Sequence, residues 1–289
     1  MTARASAYIV IGKLFNSCPA RGSVLYSTLS ISWILAVDST IAHLASHPSS
    51  RPDLTFLAEF NHTQTINESQ HLACFAGGNF LLGGSVLRRQ DYINFGLAIT
   101  DGCHDTYAST LTKIGPESFS WDTTSIPANQ TAFYAANGFW IRNGQYILRP
   151  EVIESYYYAY QITHDPKYQD WAWDAFVAIN ATTRTGSGFT EINDVNAPGG
   201  GGFRNFQDSF LFAEVMKYSY LIQAPVSILA VLTIALLHRS ANCKVQQRPW
   251  DVNFNGCNEW VFNTEAHPLR VRRQQSGYGH AGQCYNHGF

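Results

Sequence analysis

The sequence predicts an all-α protein, an assembly of helical hairpins arranged as a toroid. Apolar residues recur at helical spacing through most of the chain, and clean alternating strand patterns are scarce. Loops rich in Gly, Pro, Ser and Asn cut the periodic runs into many similar helices, which bury their apolar stripes only by packing on one another. At 289 residues the chain can bury a sizeable core, as one large domain or two small ones.

The first expected helix covers 22–46, after an opening, MTARASAYIVIGKLF, whose apolar run is too brief and mixed for a signal peptide. The second and third cover 70–87 and 91–101. The fourth, 150–162, lies in YILRPEVIESYYYAY, where Pro150 suits the first helical position because its missing N–H would be unpaired there anyway. Glu151 and Glu154 favour the positive end of the helix dipole and, three apart, share one face. This turn reads either as a surface start with solvated acids or, with Arg149 and the tyrosines, as a pocket for a polyhydroxylated ligand.

The fifth helix covers 166–181. After it, Thr185 to Arg204 forms a long, flexible, glycine-rich loop that reads as the lining of a mouth. Asp194, Asn196 and Gly199 hint at a calcium loop, but Pro198 and the missing distal glutamate break the EF-hand pattern. The sixth helix, 205–222, sets Phe210, Ala213, Glu214 and Lys217 at helical spacing. Ala224 to Leu237 is strongly apolar, yet at about 14 residues it falls short of the roughly 20 that span a membrane, so it reads as a buried helix. The polar tail, 274–289, is expected to be disordered, with His280 and His287 solvated.

Composition narrows the function. A net charge of -2 with 14% charged residues leaves no electrostatic footprint for nucleic acid. Aromatic residues, at 14%, suit both a core and stacking against sugar faces. Asn-x-Ser/Thr sequons at Asn61, Asn67, Asn129 and Asn180 point to the secretory pathway. The six cysteines (Cys18, Cys74, Cys103, Cys243, Cys257 and Cys284) have no CxxC spacing, which argues against zinc and for one or two disulfides.

Five blocks carry the chemistry: HLACFAGGNFLLGG (71–84), GCHDTYASTLTKIGPESFSW (102–121), YILRPEVIES (146–155), SFLFAEVMKYSYL (209–221) and WVFNTEAHPLR (260–270). In this order and spacing the chain resembles the carboxyl-terminal half of glycoside hydrolase family 47, the fungal class I α-1,2-mannosidases. The resemblance covers roughly 38–221 and resumes over about 250–271. It implies an (α/α)7 barrel truncated to about its carboxyl-terminal half. It also implies Ca2+ dependence and inverting removal of terminal α-1,2-linked mannose from high-mannose oligosaccharides or N-glycoproteins.

Inversion needs one protonated carboxyl to donate to the leaving oxygen and one carboxylate to activate water, about 6.5–9.5 Å apart. By resemblance Glu117, in IGPESF, matches a possible proton donor and Glu151, in LRPEVIES, matches the base. The helix-start position read for Glu151 suits a base, since the dipole there favours the carboxylate. Thr264, in NTEAHP, matches the Ca2+ ligand, which acts through its hydroxyl and carbonyl oxygens. His71, Arg149, Glu154, Phe210, Glu214 and Glu265 match positions lining the sugar subsite or the calcium water shell, and Phe210 reads equally as a core aromatic. Cys74 and Cys103 match the family's disulfide, and the loop of roughly 30 residues it would close implies about 3 kcal/mol of stabilisation.

The chain also departs from the family. Residues 1–21 do not read as family sequence, and where ASAYIVIGKL aligns with a family block, Ala5 stands at an acid's position. Residues 22–273 read as a partial catalytic domain, interrupted at 224–249 by a foreign insertion of the kind a retained intron leaves. An amino-terminal part, bearing one further catalytic acid and any targeting segment or membrane anchor, has no counterpart here. The expectation is therefore a monomeric α-1,2-mannosidase of the endoplasmic reticulum, Golgi or secreted type. The alternative is a catalytically incomplete remnant or mannose-binding relative.

Overall fold

A computed structural model of the chain describes residues 24–224, 260–262 and 268–270. In chain order the described helices are α1 (Val24–His43), α2 (Phe75–Leu87), α3 (Gln90–Ala108), α4 (Thr131–Asn137), α5 (Glu151–Thr163), α6 (Lys167–Thr183) and α7 (Lys217–Gln223). A 3-10 turn, His71–Cys74, leads into α2, and a π-helical stretch, Leu211–Met216, leads into α7.

Two tight reversals make hairpins of α2 with α3 and α5 with α6. Arg88 closes α2 at φ 54 and His164 closes α5 at φ 56; in this left-handed backbone the N–H groups of Arg88 and Arg89 donate to the Ser85 and Gly84 carbonyls, and that of His164 to the Tyr160 carbonyl. Helix α5 is the hub, packing against α2, α3, α6 and α7. Its consecutive tyrosines Tyr156, Tyr157 and Tyr158 point in different directions yet are all buried, because protein surrounds the helix on every side.

Close approach to this hub depends on two glycines of α2. A Cβ on Gly77 would lie 2.5 Å from Thr100 Oγ1 of α3, and one on Gly78 would lie 2.7 Å from the Tyr158 ring of α5. Interiors packed to crystal-like density have no slack for such atoms. The Cys74–Cys103 disulfide then ties the turn before α2 to α3, with Cα atoms 6.0 Å apart.

Three helices extend or shift the expected boundaries. Helix α3 runs on past 101 to Ala108 because its last turns carry Gly102, Cys103, Thr106 and Tyr107, all buried. The helix expected over 205–222 begins only at Leu211, and Asn205 is left-handed at φ 54. Pro150 occupies the cap, one residue outside the helix rather than its first position. Helix α4 was not expected.

The strands were also missed. Strands β1 (Glu68–Gln70), β2 (Ser118–Ser120) and β3 (Trp140–Asn143) form an antiparallel sheet in the order β1-β2-β3. Phe56, Phe119, Trp121 and Phe139 cluster beside it, with Phe56 and Phe119 ring centroids 5.0 Å apart. The sheet matters because β1 ends beside His71 and β2 begins beside Glu117.

The loop expected to be flexible is pinned instead. Thr112 N–H donates to the Val195 carbonyl at 3.1 Å, and Arg204 pairs with Glu191 at 3.0 Å. Asp194 and Asn196 accept from backbone N–H groups at 2.8 and 3.1 Å, so their oxygens hold the loop together. Ile192 bridges Tyr146, which places the loop against the residues preceding Arg149. The divergent start 1–21, most of the 224–249 insertion and the 274–289 tail lie outside the described residues.

Candidate active site at the start of a buried helix

The backbone brings the predicted residues together before any side chain is considered. His71 N–H donates to the Glu117 carbonyl at 3.0 Å, and Glu117 N–H donates to the Gln145 carbonyl at 2.8 Å. Three residues after Tyr146 the chain reaches Arg149, then Pro150 and α5. Sheet, 3-10 turn and helix start therefore converge on one point.

Both acids of the first turn of α5 are fully buried, Glu151 at 0% and Glu154 at 0% exposure. The surface reading of this turn is excluded, and a buried carboxylate requires partners to offset its lost hydration. Glu151 Oε2 lies 2.8 Å from His71 Nδ1, and its Oε1 faces Arg149 Nη1 at 3.8 Å. Glu154 Oε1 accepts from the Tyr218 hydroxyl at 3.2 Å. Glu214, on the π-helical stretch, is equally enclosed.

Nearer the surface, Arg149 grips Glu117 with a two-pronged pair, Nε to Oε2 at 2.6 Å and Nη2 to Oε1 at 2.5 Å. Each of these two side chains is 18% exposed, so the pair sits above the sealed Glu151 layer. Such a fork matches carboxylate geometry and fixes both groups. It also occupies both oxygens of Glu117, so proton donation by that group requires the pair to open.

Behind Glu151, His71 Nε2 lies 2.7 Å from the Tyr107 hydroxyl. Burial pushes the phenols of Tyr107 and Tyr146 well above their ordinary range, with Glu151's negative charge adding to both, so both stay protonated. Tyr146 donates to the Arg149 carbonyl at 3.1 Å. On α7, burial lowers the Lys217 pKa against the attraction of Glu214. Phe210 is half-buried and packs against the core. Thr264 and Glu265 lie outside the described residues.

His71, Glu117, Arg149 and Glu151 are thus one cluster, with Glu154 one turn further along α5. Sequence reasoning missed Tyr107, Tyr146 and Tyr218. All three fall inside or beside the motif blocks, but no local pattern distinguishes them from core tyrosines. Chemically, the arrangement offers a carboxylate held by an imidazole at one oxygen and a second, partly exposed carboxylate clamped by the arginine that also faces the first.

Comparison with known proteins addresses the chain as a whole. The family model described as glycosyl hydrolase family 47 matches residues 23–271. The chain is 55% identical over 239 residues to the mannosyl-oligosaccharide alpha-1,2-mannosidase 1B of Aspergillus phoenicis, covering 83% of this chain and 42% of that protein. It is 49% identical over 268 residues to the mannosyl-oligosaccharide alpha-1,2-mannosidase of Penicillium citrinum, covering 93% of this chain and 48% of that one. The solved alpha-1,2-mannosidase from Trichoderma reesei superposes with a TM-score of 0.77 at 40% identity, over 93% of this chain and 51% of that chain. The chain spans about half the length of the relatives it matches.

Proposed function

Because the chain belongs to glycosyl hydrolase family 47, we propose that its buried cluster is the mannose-cleaving part of an inverting α-1,2-mannosidase acting on high-mannose N-glycans. The observation that carries this reading is Glu151, a fully buried carboxylate at a helix start, held by His71 at one oxygen and facing Arg149 with the other. A general base must be ionised and aimed, and an imidazole contact together with a helix N-terminus favours both. Glu151 takes the base role, and Glu117, released from Arg149, serves on the acid side. Arg149, His71, Glu154, Phe210 and Glu214 line the mannose subsite, with Glu265 as a further contact.

Calcium belongs to the same proposal. The donor chemistry of the described residues fits its surroundings, because Glu154 and Glu214 are buried oxygen donors on adjacent elements. Among the described residues no group of three or more His, Cys, Asp and Glu could hold an ion by itself, so those carboxylates are assigned to its water shell. Thr264 would hold the ion, which when bound would supply a fixed positive point for water and sugar hydroxyls. The compartment that fits this work is the secretory pathway, and the folded unit is taken as a monomer. Among the described residues no helix is long and apolar enough to cross a membrane.

The test is incubation of the chain with α-1,2-linked mannobiose and Ca2+, following released mannose by proton NMR. Release as the β-anomer, falling about a hundredfold or more in Glu151→Gln, is the expected result. A second reading draws support from the Arg149 fork that occupies both oxygens of Glu117: a relative that binds mannose without turning it over. No release, with calorimetric mannobiose binding retained, would replace the first reading with the second.

A further inference from the structure

The four Asn-x-Ser/Thr sequons look alike in sequence, and the structure separates them. Asn61 lies at the tip of a two-stranded hairpin, in which Glu59 pairs with Ile66 and Phe60 with Thr65. Every residue from Asn61 to Thr65 is exposed. His62 adopts the left-handed backbone at φ 75, and the Asn61 N–H donates to the Gln64 carbonyl at 3.2 Å, which closes the turn. Asn61 Oδ1 accepts from the N–H groups of Thr63 and Gln64 at 3.2 and 3.0 Å, and from the Thr63 hydroxyl at 2.9 Å. Those donors decide which way the amide faces: its oxygen must meet them, so Nδ2 is turned away from the turn.

We propose that Asn61 is an N-glycosylation site of this chain, favoured over the other three sequons because its turn brings both halves of the acceptor motif together. The motif joins an asparagine amide to a hydroxyl two residues on. Here a turn of the Asx type folds the Thr63 hydroxyl onto the Asn61 carboxamide at an exposed tip. The co-substrate is a lipid-linked pyrophosphoryl oligosaccharide of the secretory pathway. Nδ2 attacks the anomeric carbon of the first sugar and a C–N bond forms. The bond from that carbon to the pyrophosphate oxygen breaks, its electron pair leaves on the phosphate, and Nδ2 gives up one proton. The inference rests on the secretory-pathway part of the proposed function, since such donors are used there.

The other three sequons lack this arrangement. The Asn67 carboxamide is engaged elsewhere, its Oδ1 accepting from the Ser46 hydroxyl at 3.3 Å, and its sequon hydroxyl, Ser69 on β1, is only 4% exposed. Thr131, which completes the sequon of Asn129, donates to the Ala128 carbonyl at 3.2 Å instead. Asn180 lies within α6, where residues two apart do not face each other, so Thr182 is turned from it. Beside Asn61, by contrast, the Phe60 ring is 58% exposed, an apolar face that the first sugar can cover.

The experiment is expression of the full chain behind a secretion leader in a eukaryotic host, followed by mapping of its glycans. Enzymatic release in heavy-oxygen water converts each occupied asparagine to a labelled aspartate, which peptide mass spectrometry locates. Asn61 should carry the label, at an occupancy above that of Asn67, Asn129 and Asn180. Asn61→Gln and Thr63→Ala should each remove one glycan's mass from the chain, whereas Thr63→Ser, which keeps a hydroxyl, should retain it. An unlabelled Asn61, or labelling there no higher than at another sequon, overturns the inference. The wild-type map decides this without requiring any variant to fold. Because the leader supplies entry to the pathway, the result judges the site alone; finding the chain outside that pathway in its own cells would sink the proposed compartment instead.

Discussion

His104 illustrates how far a single buried ring can set the conditions under which this protein is stable. It stacks on Trp171 with centroids 3.6 Å apart, and its Nδ1 lies 2.9 Å from the Tyr156 hydroxyl. Burial, aided by the nearby Lys167 charge, lowers its pKa to about 4. In the unfolded chain a histidine titrates near about 6.5, so between those two values the unfolded state takes up a proton that the folded state refuses. Stability therefore falls as pH drops through that window and stops falling from this cause below about 4. The loss should reach about 3 kcal/mol at most, since the ring is partly exposed. Denaturant melts across this range should show the loss in the wild type and a flatter profile in His104→Phe; parallel profiles would refute it. The same logic of burial makes the candidate site recognisable: Glu151 and Glu154 were legible as acids at a helix start, but their 0% exposure was not.

At the scale of elements, the α2–α3 hairpin is held by chemistry that the sequence offered and by packing that it did not. The Cys74–Cys103 bridge closes a span of 29 residues, which implies about 3 kcal/mol of stabilisation through the unfolded state. Replacing both cysteines with serine should lower the unfolding free energy by roughly that amount in chemical denaturation; a change under about 0.5 kcal/mol would show that the bridge is incidental. Helix α5 was readable because its start signals, Pro150, Glu151 and Glu154, are local. The end of α3 was not, since its last turns are set by Cys103, Thr106 and Tyr107 packing inward. The three-stranded sheet escaped notice for a related reason: strands of three or four residues show too little alternation. Their pairings, such as Glu68 with Ser120, join distant parts of the chain.

Across the whole molecule, the described helices match part of the family's (α/α)7 barrel, with α1 near one end of the chain and the π-helical stretch and α7 near the other. Exposed apolar side chains are spread over the described surface, among them Ile31 at 55% and Leu35 at 63% on α1, Trp173 at 54% on α6 and Phe206 at 59% ahead of the π-helical stretch. Apolar surface of this kind favours association with whatever can cover it. The expected outcome is poor solubility of the isolated chain and strong binding of a dye that reports apolar surface. A freely soluble chain with no more dye binding than an ordinary folded protein would count against it.

By itself, the sequence determined the helical class, most helix starts, the five motif blocks and, through the family they resemble, the acids, arginine and histidine of the site but not its tyrosines. These follow from local periodicity, capping chemistry and the order of short blocks. Only the tertiary structure decided which of those residues meet. His71 contacts Glu151 across 80 positions and Tyr107 across 36, and Arg149 reaches Glu117 across 32. Contacts that distant depend on how closely α2, α3 and α5 pack, which rests on glycines at Gly77 and Gly78 and on the burial of side chains all around α5. No local pattern encodes that packing, and it turned the acids of one helix start into a sealed, hydrogen-bonded centre.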